Sequence, residues 1–214
     1  MGRENKKEAV AELHREKIIK AAEALFTRQG FEKTTVDHIS KASGYSRRTV
    51  YAYFESKDDI LHHIIERGLI SLKQDIETAL HKNSAFLVRF RDIFASFVRY
   101  QTECPYSFDG VAKADSDSFD CGALSDTARR ILSLGDSLNS LLSSLIEDGK
   151  KEGAVRRDVN TGMTVYILWS SLSSLISLAK KKGGHICKQF AVTEDEFLEY
   201  GFRQTANSVL EVRL

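Results

Sequence analysis

The sequence predicts an all-α protein, with three short helices at the N-terminus and a longer helical bundle behind them. Apolar residues recur at spacings of three and four along nearly the whole chain, and no stretch alternates as a strand would. One proline occurs in 214 residues, and helix interiors shed proline because it removes a backbone hydrogen bond and clashes with the preceding turn. Helix starts recur as Ser or Thr with an acid three residues later, at Thr34–Asp37, Ser56–Asp59 and Thr193–Glu196, which is the capping-box pattern.

The first helix is expected over 8 to 29, with Ile18, Ala22, Leu25 and Phe26 inward and Gly30 ending it. The second runs from 35 to 43, capped by Thr34, with Val36 and Ile39 inward. Small Ser40, Ala42 and Ser43 before Gly44 suit a tight turn between crossing helices. Ser46 caps a third helix over 47 to 53. A fourth, over 57 to 81, keeps the stripe Ile60, Leu61, Ile64, Ile65, Leu69, Leu72 and Ile76 and has the length of a connector. The expected division is therefore a domain over 1–56 and a second over 57–214.

In the second domain a helix over 84 to 102 carries Phe86, Phe90, Ile93, Phe94 and Phe97, and Pro105 stops it. Residues 105 to 124, rich in Asp, Ser and Gly, read as a loop around a short helix. A helix over 125 to 151 follows, then the polar turn EGAVRRDVN. The next helix, 160 to 181, is broken by KKKGGH, and the last spans 194 to 211. The apolar run Val165 to Ala179 is interrupted by five serines and is shorter than the ~18 residues a bilayer span needs, so it reads as a buried helix and no membrane partner is expected.

Net charge is +1 overall, but residues 1–57 hold 12 Lys and Arg against 8 Asp and Glu, leaving the remainder at −3. That split suits a chain of which one end meets phosphate. Cys104, Cys121 and Cys187 have no regular spacing, which suits reduced thiols in the cytoplasm, and the N-terminus lacks the apolar core of a signal peptide.

The third helix is too short and too polar for a core element. It carries Arg47, Arg48, Thr49, Tyr51 and Tyr53. A helix that enters the major groove, about 12 Å wide, must present donors to base edges, and Arg is the usual bidentate partner of guanine. Arg47 and Arg48 fall in its first turn. Lys57 stands at a helix start, where positive charge and free N–H groups favour phosphate. Thr34 and Thr35 stand where the second helix begins and can meet the opposite backbone strand.

The ordered set Ala24-Leu25-Phe26, Gly30-Phe31, Thr34-Thr35-Val36, Ile39, Ala42, Gly44, Thr49-Val50-Tyr51, Tyr53-Phe54, Ser56-Lys57 and Ile60-Leu61 resembles the DNA-binding domain of TetR/AcrR-type transcriptional regulators. The resemblance implies a helix-turn-helix domain followed by a ligand-binding and dimerisation domain. It also implies DNA contacts by Thr35, Arg47, Thr49, Tyr51, Tyr53 and Lys57, with Ser46 beside them as the cap. Arg48 departs from the family's small residue and adds a donor, while Ala52 removes a larger side chain. The implied function is a sequence-specific regulator, a repressor released from a palindrome-like operator by a small effector. The alternatives are an activator of the same fold or a DNA-anchored interaction protein without a ligand. Phe90, Phe94, Phe97, Tyr100, Phe108, Tyr166 and Trp169 are the candidate lining of an effector pocket. The helices over about 160–181 and 194–211, with Ser170, Ser171, Ser173, Ser174 and Ser177 permitting close approach, are the candidate homodimer interface.

Enzyme chemistry is not expected. The chain has no Glu-x-x-His pair, G-x-S-x-G, P-loop or dinucleotide glycine pattern. His62 and His63 diverge on a helix, and His185-Ile186-Cys187 lacks a second ligand pair. No metal or other cofactor is implied.

Overall fold

The computed structural model describes residues 2–82, 84–113 and 125–212, with side chains described for 6–82, 84–111 and 125–212. Cys121, most of the expected 105–124 loop and the side chain of Arg3 lie outside these residues. Among the described residues there are nine helices: α1 Gly2–Gln29, α2 Val36–Ser43, α3 Arg47–Tyr53, α4 Lys57–Leu80, α5 Phe86–Glu103, α6 Pro105–Lys113, α7 Asp126–Lys151, α8 Thr161–Phe190 and α9 Glu194–Asn207. The chain forms two compact units, Met1–Gly68 with Pro105–Ile131, and Leu69–Cys104 with Leu132–Leu214. This differs from the division after residue 56. Ile60 and Ile64 of α4 complete the first core, the Tyr106 hydroxyl of α6 donates to the Phe26 carbonyl, and Ser107 Oγ donates to the Ile65 carbonyl at 2.9 Å.

The first unit is built around Ile18, Ala22, Leu25 and Phe26 of α1, with Ile39, Val50 and Phe54 against them. α1 begins at Gly2 rather than near residue 8, because Glu, Lys and Ala favour the helix even where it is solvated. Gly30 (φ 85°) ends it, its N–H donating to the Phe26 carbonyl at 2.8 Å. The cap of α2 is Thr35, not Thr34. The Thr35 hydroxyl accepts the His38 N–H at 3.3 Å, and His38 Nδ1 accepts the Thr35 N–H at 3.3 Å, so the box is shifted by one residue. Gly44 closes α2 in the left-handed region (φ 75°), where an L side chain is strained. Ser46 caps α3, as expected, accepting the Thr49 N–H at 3.1 Å. Ser56 opens α4 by accepting the Asp59 N–H at 3.0 Å, but the Asp59 carboxylate reaches the Glu55 N–H rather than that of Ser56.

In the second unit α8 packs against α9 and α5. Phe202 of α9 meets Phe90 and Phe94 at ring separations of 5.5 and 5.1 Å, and Phe97 meets Trp169 edge-on at 4.9 Å. α5 lacks a side-chain cap of its own, and Glu152 substitutes by accepting the Phe86 N–H at 2.9 Å while pairing with Arg89. α5 ends at Glu103 with Cys104 as its cap, directly before Pro105 as expected, and Pro105 itself starts α6, where its missing N–H costs nothing.

The KKKGGH stretch does not break α8, which continues to Phe190. Gly183 is buried, and a Cβ there would make only ordinary contact with Glu194, 3.4 Å from its Oε2. By length and composition alone α8 could cross a membrane. Its face of Val165, Leu168, Leu172 and Ile176 is nonetheless buried in protein.

α9 opens with the expected box: Thr193 Oγ accepts the Glu196 N–H at 3.2 Å, and the Thr193 N–H and hydroxyl hold the Glu196 carboxyl below the usual range. It ends at Asn207 rather than 211, because the following residues turn back to pair with the 152–160 turn, as in the bridge between Val155 and Leu210. α8 and α9 approach closely at Gly201, where a Cβ would fall 2.4 Å from Leu175 Cδ2. Gly201→Ala should therefore cost about 1–3 kcal/mol, read as a lowered thermal midpoint. An unchanged midpoint would mean that Leu175 gives way freely.

Candidate nucleic-acid interface

α3 buries one of its seven residues, Val50, leaves Thr49 and Tyr53 half-buried and exposes the other four. That is the opposite of a core helix and leaves the element as a surface held from below. Two flanking devices set its angle: Gly44 permits the sharp turn after α2, and Ser46 fixes the first backbone turn. The Ser40 hydroxyl, donating to the Tyr45 carbonyl at 2.6 Å, ties that turn to α2.

The candidate residues divide by what their polar atoms already do. Thr35, Ser46, Arg47, Arg48 and Tyr51 are exposed, with Tyr51 48 % accessible, so its phenol is not core. Ala52 is exposed as well and offers no polar atom. Thr49 is half-buried, its hydroxyl 2.9 Å from Ser46 Oγ. Tyr53 is half-buried and fastened to α1, its hydroxyl 3.0 Å from His14 Nδ1 and its ring beneath the Arg15 guanidinium. Lys57 donates to the Phe31 carbonyl at 2.9 Å and lies 4.0 Å from the centre of the Phe31 ring, so its charge braces the turn between α1 and α2.

Thr34 is corrected outright. It is 1 % exposed, and its hydroxyl donates to the Gly30 carbonyl at 2.8 Å and accepts from Gln29 Nε2 at 3.3 Å. Its position closes the α1–α2 turn, which withdraws it from any surface.

The sequence reading gave Asp37 to a capping box with Thr34 and passed over His38. Asp37 pairs with Arg47, its Oδ1 lying 2.9 Å from Nε and its Oδ2 accepting from Nη1 at 3.4 Å. His38 occupies the place of Glu or Gln in the capping box of α2. The signal in the sequence is Thr35-x-x-His38, in which a ring nitrogen takes the place of the usual acid or amide.

The aromatic set of the second unit is largely core. Phe90, Phe97 and Trp169 border a cavity of about 10 Å³ together with Ile93, Leu142, Leu145, Ile146, Val165, Leu168 and Leu172. Such a space holds about one water. Phe94 and Tyr100 are buried away from this lining. Tyr166 is 65 % exposed, because it faces outward on α8. Phe108 belongs to the other compact unit. Four of the seven aromatic residues therefore do not line it. Among the described residues no group of three or more His, Cys, Asp or Glu side chains is placed to hold a metal ion.

Residues 18–64 match the family model described as bacterial regulatory proteins, tetR family. That segment runs from the first to the last residue of the buried core of the first unit, Ile18 to Ile64. The chain is 46 % identical over 52 residues to the uncharacterized HTH-type transcriptional regulator YfiR of Bacillus subtilis (strain 168), an alignment covering 24 % of this chain and 25 % of YfiR. The chain thus spans about a quarter of that relative's length. It is 23 % identical over 159 residues to a second uncharacterized HTH-type transcriptional regulator of the same organism, YhgD, covering 74 % of this chain and 80 % of YhgD. In three dimensions it is similar to the fatty acid degradation regulator FadR from Bacillus halodurans, with a TM-score of 0.70 at 15 % identity over 90 % of this chain and 94 % of that one. At that identity the likeness concerns the fold.

Proposed function

We propose that this chain, which belongs to the TetR family of bacterial transcriptional regulators, is a cytoplasmic homodimeric repressor that reads a palindrome-like operator with α3 and leaves it when a small apolar effector binds the second unit. The observation that carries the reading is the outward face of Arg47, Arg48 and Tyr51 on a helix that buries only Val50. Thr35, Ser46 and Thr49 flank it with hydroxyls suited to phosphate. Lys57 and Tyr53 act chiefly by bracing the unit, since their polar atoms are engaged within it.

Dimerisation is supported by α8. Met163, Tyr166, Ile167 and Leu178 are exposed apolar residues, with exposed Ser170 and Ser174 between them, on a helix whose other side is buried. A twofold pair would bring two reading helices to successive major grooves. Repression is the simplest consequence, because occupancy of the operator alone blocks a promoter whereas activation needs a further surface for polymerase. The effector site is supported by the predominantly apolar lining of the cavity between α5, α7 and α8. A drug-sized ligand would have to enlarge that space.

Fluorescence anisotropy with a palindromic duplex from the protein's own promoter, against a scrambled duplex of equal length at matched salt, tests the reading. The promoter duplex should bind at least about 10³-fold more tightly. Arg48→Ala should remove about 1–3 kcal/mol of that preference. Equal affinity for the two duplexes would end the proposal of sequence reading.

A further inference from the structure

The pair formed by Asp37 of α2 and Arg47 of α3 carries an inference that rests on the DNA-reading proposal and deepens it. An exposed carboxylate on a surface meant for DNA repels phosphate whatever the base sequence. Exposed ion pairs add little to stability, and this one is open to solvent on both sides, at 61 % for Arg47 and 51 % for Asp37. Its presence there needs a reason other than holding the fold.

The geometry supplies one. Asp37 Oδ1 lies 2.9 Å from Arg47 Nε as an ion pair, and Oδ2 accepts one N–H of Nη1 at 3.4 Å. A guanidinium has five N–H donors in a rigid plane, so four remain, among them one on Nη1 and two on Nη2. One hydrogen from each of those nitrogens is the end-on pair that matches guanine O6 and N7. Both carboxylate oxygens are turned to Arg47, which leaves Asp37 poorly placed to accept from a cytosine amino group itself. Among the described residues no carboxylate pairs with Arg48, so the two arginines differ in kind: one is aimed and the other is free to swing to phosphate or base.

We infer that Asp37 is a specificity-determining positioning residue, which fixes the Arg47 guanidinium to read a guanine in the operator. Asp37 lowers the entropy lost when Arg47 docks and restricts the base it fits. It does so at some expense in affinity for DNA of any sequence.

The test is selection of bound duplexes from a random-sequence pool by the full-length wild type, Asp37→Ala, Arg47→Ala and the double variant, followed by titration of the recovered sequence and its single-base variants. The expected result is one guanine column lost with Arg47→Ala, and the same column weakened roughly 10-fold by Asp37→Ala with the remaining columns kept. Binding to scrambled DNA should hold or tighten in Asp37→Ala, and the double variant should match Arg47→Ala. A guanine column that survives Asp37→Ala with tighter binding overturns the inference and makes Asp37 a restraint on Arg47 instead. A motif untouched by Arg47→Ala overturns it as well. If the wild type enriches no motif, the DNA-reading proposal itself fails and this inference falls with it.

Discussion

Ile167→Asp is expected to convert the protein to a monomer and to lower its affinity for a two-half-site operator by about 10² to 10⁴-fold. Ile167 is 61 % exposed in the single chain, so a carboxylate there is hydrated and the fold is undisturbed. In a twofold pair through α8 the same carboxylate would be desolvated against Met163, Tyr166 and its own symmetry mate, a costly burial without a partner. Each reading head would then meet its half-site alone and forfeit the gain of tethering. Light scattering after size exclusion gives the mass, circular dichroism the fold, and anisotropy the affinity. A variant that keeps the wild-type mass and affinity would place the interface elsewhere.

Phe26→Ala should cost about 3–5 kcal/mol, a large share of the 5–15 kcal/mol that holds an ordinary domain. Phe26 is fully buried. Its ring meets Phe31 at 5.1 Å and Tyr106 at 5.6 Å. Its carbonyl accepts both the Gly30 N–H and the Tyr106 hydroxyl. Truncation therefore leaves a void where the end of α1, the following turn and α6 converge. Urea unfolding should show the loss as a lower midpoint at an unchanged slope, and DNA binding should fall with it. A shift below about 1 kcal/mol would mean that neighbouring rings collapse into the gap, contrary to the close packing of interiors.

The sequence was most legible where local chemistry decides the backbone. Gly30, Gly44, Ser46 and Thr193 each sit where a left-handed residue or a capping hydroxyl is needed, and each terminates or opens the element expected of it. It was least legible where tertiary packing overrides propensity. Gly183 and Gly184 read as a break, yet α8 runs through both to Phe190. Tyr166 and Phe108 read as pocket residues by type, but helix phase turns one outward and chain topology assigns the other to a different unit. At the surface proposed to face DNA the residue types were visible and their partners were not. Arg47 stood out alone, whereas its link to Asp37 spans ten positions and depends on the angle between two helices. Thr34 and Thr35 were indistinguishable as letters. Only the turn decides which hydroxyl caps α2 and which is consumed inside.

The cavity bordered by Phe90, Phe97 and Trp169 has a kinetic consequence. Because its resting volume is about that of one water, an effector using this space must wait for side chains to part before it can enter. Its capture would be timed by the protein rather than by diffusion. The observed binding rate should then level off as effector concentration rises, and the plateau would measure how often the closed core opens by itself. A regulator arranged in this way would respond to how long an effector persists as well as to how much of it is present.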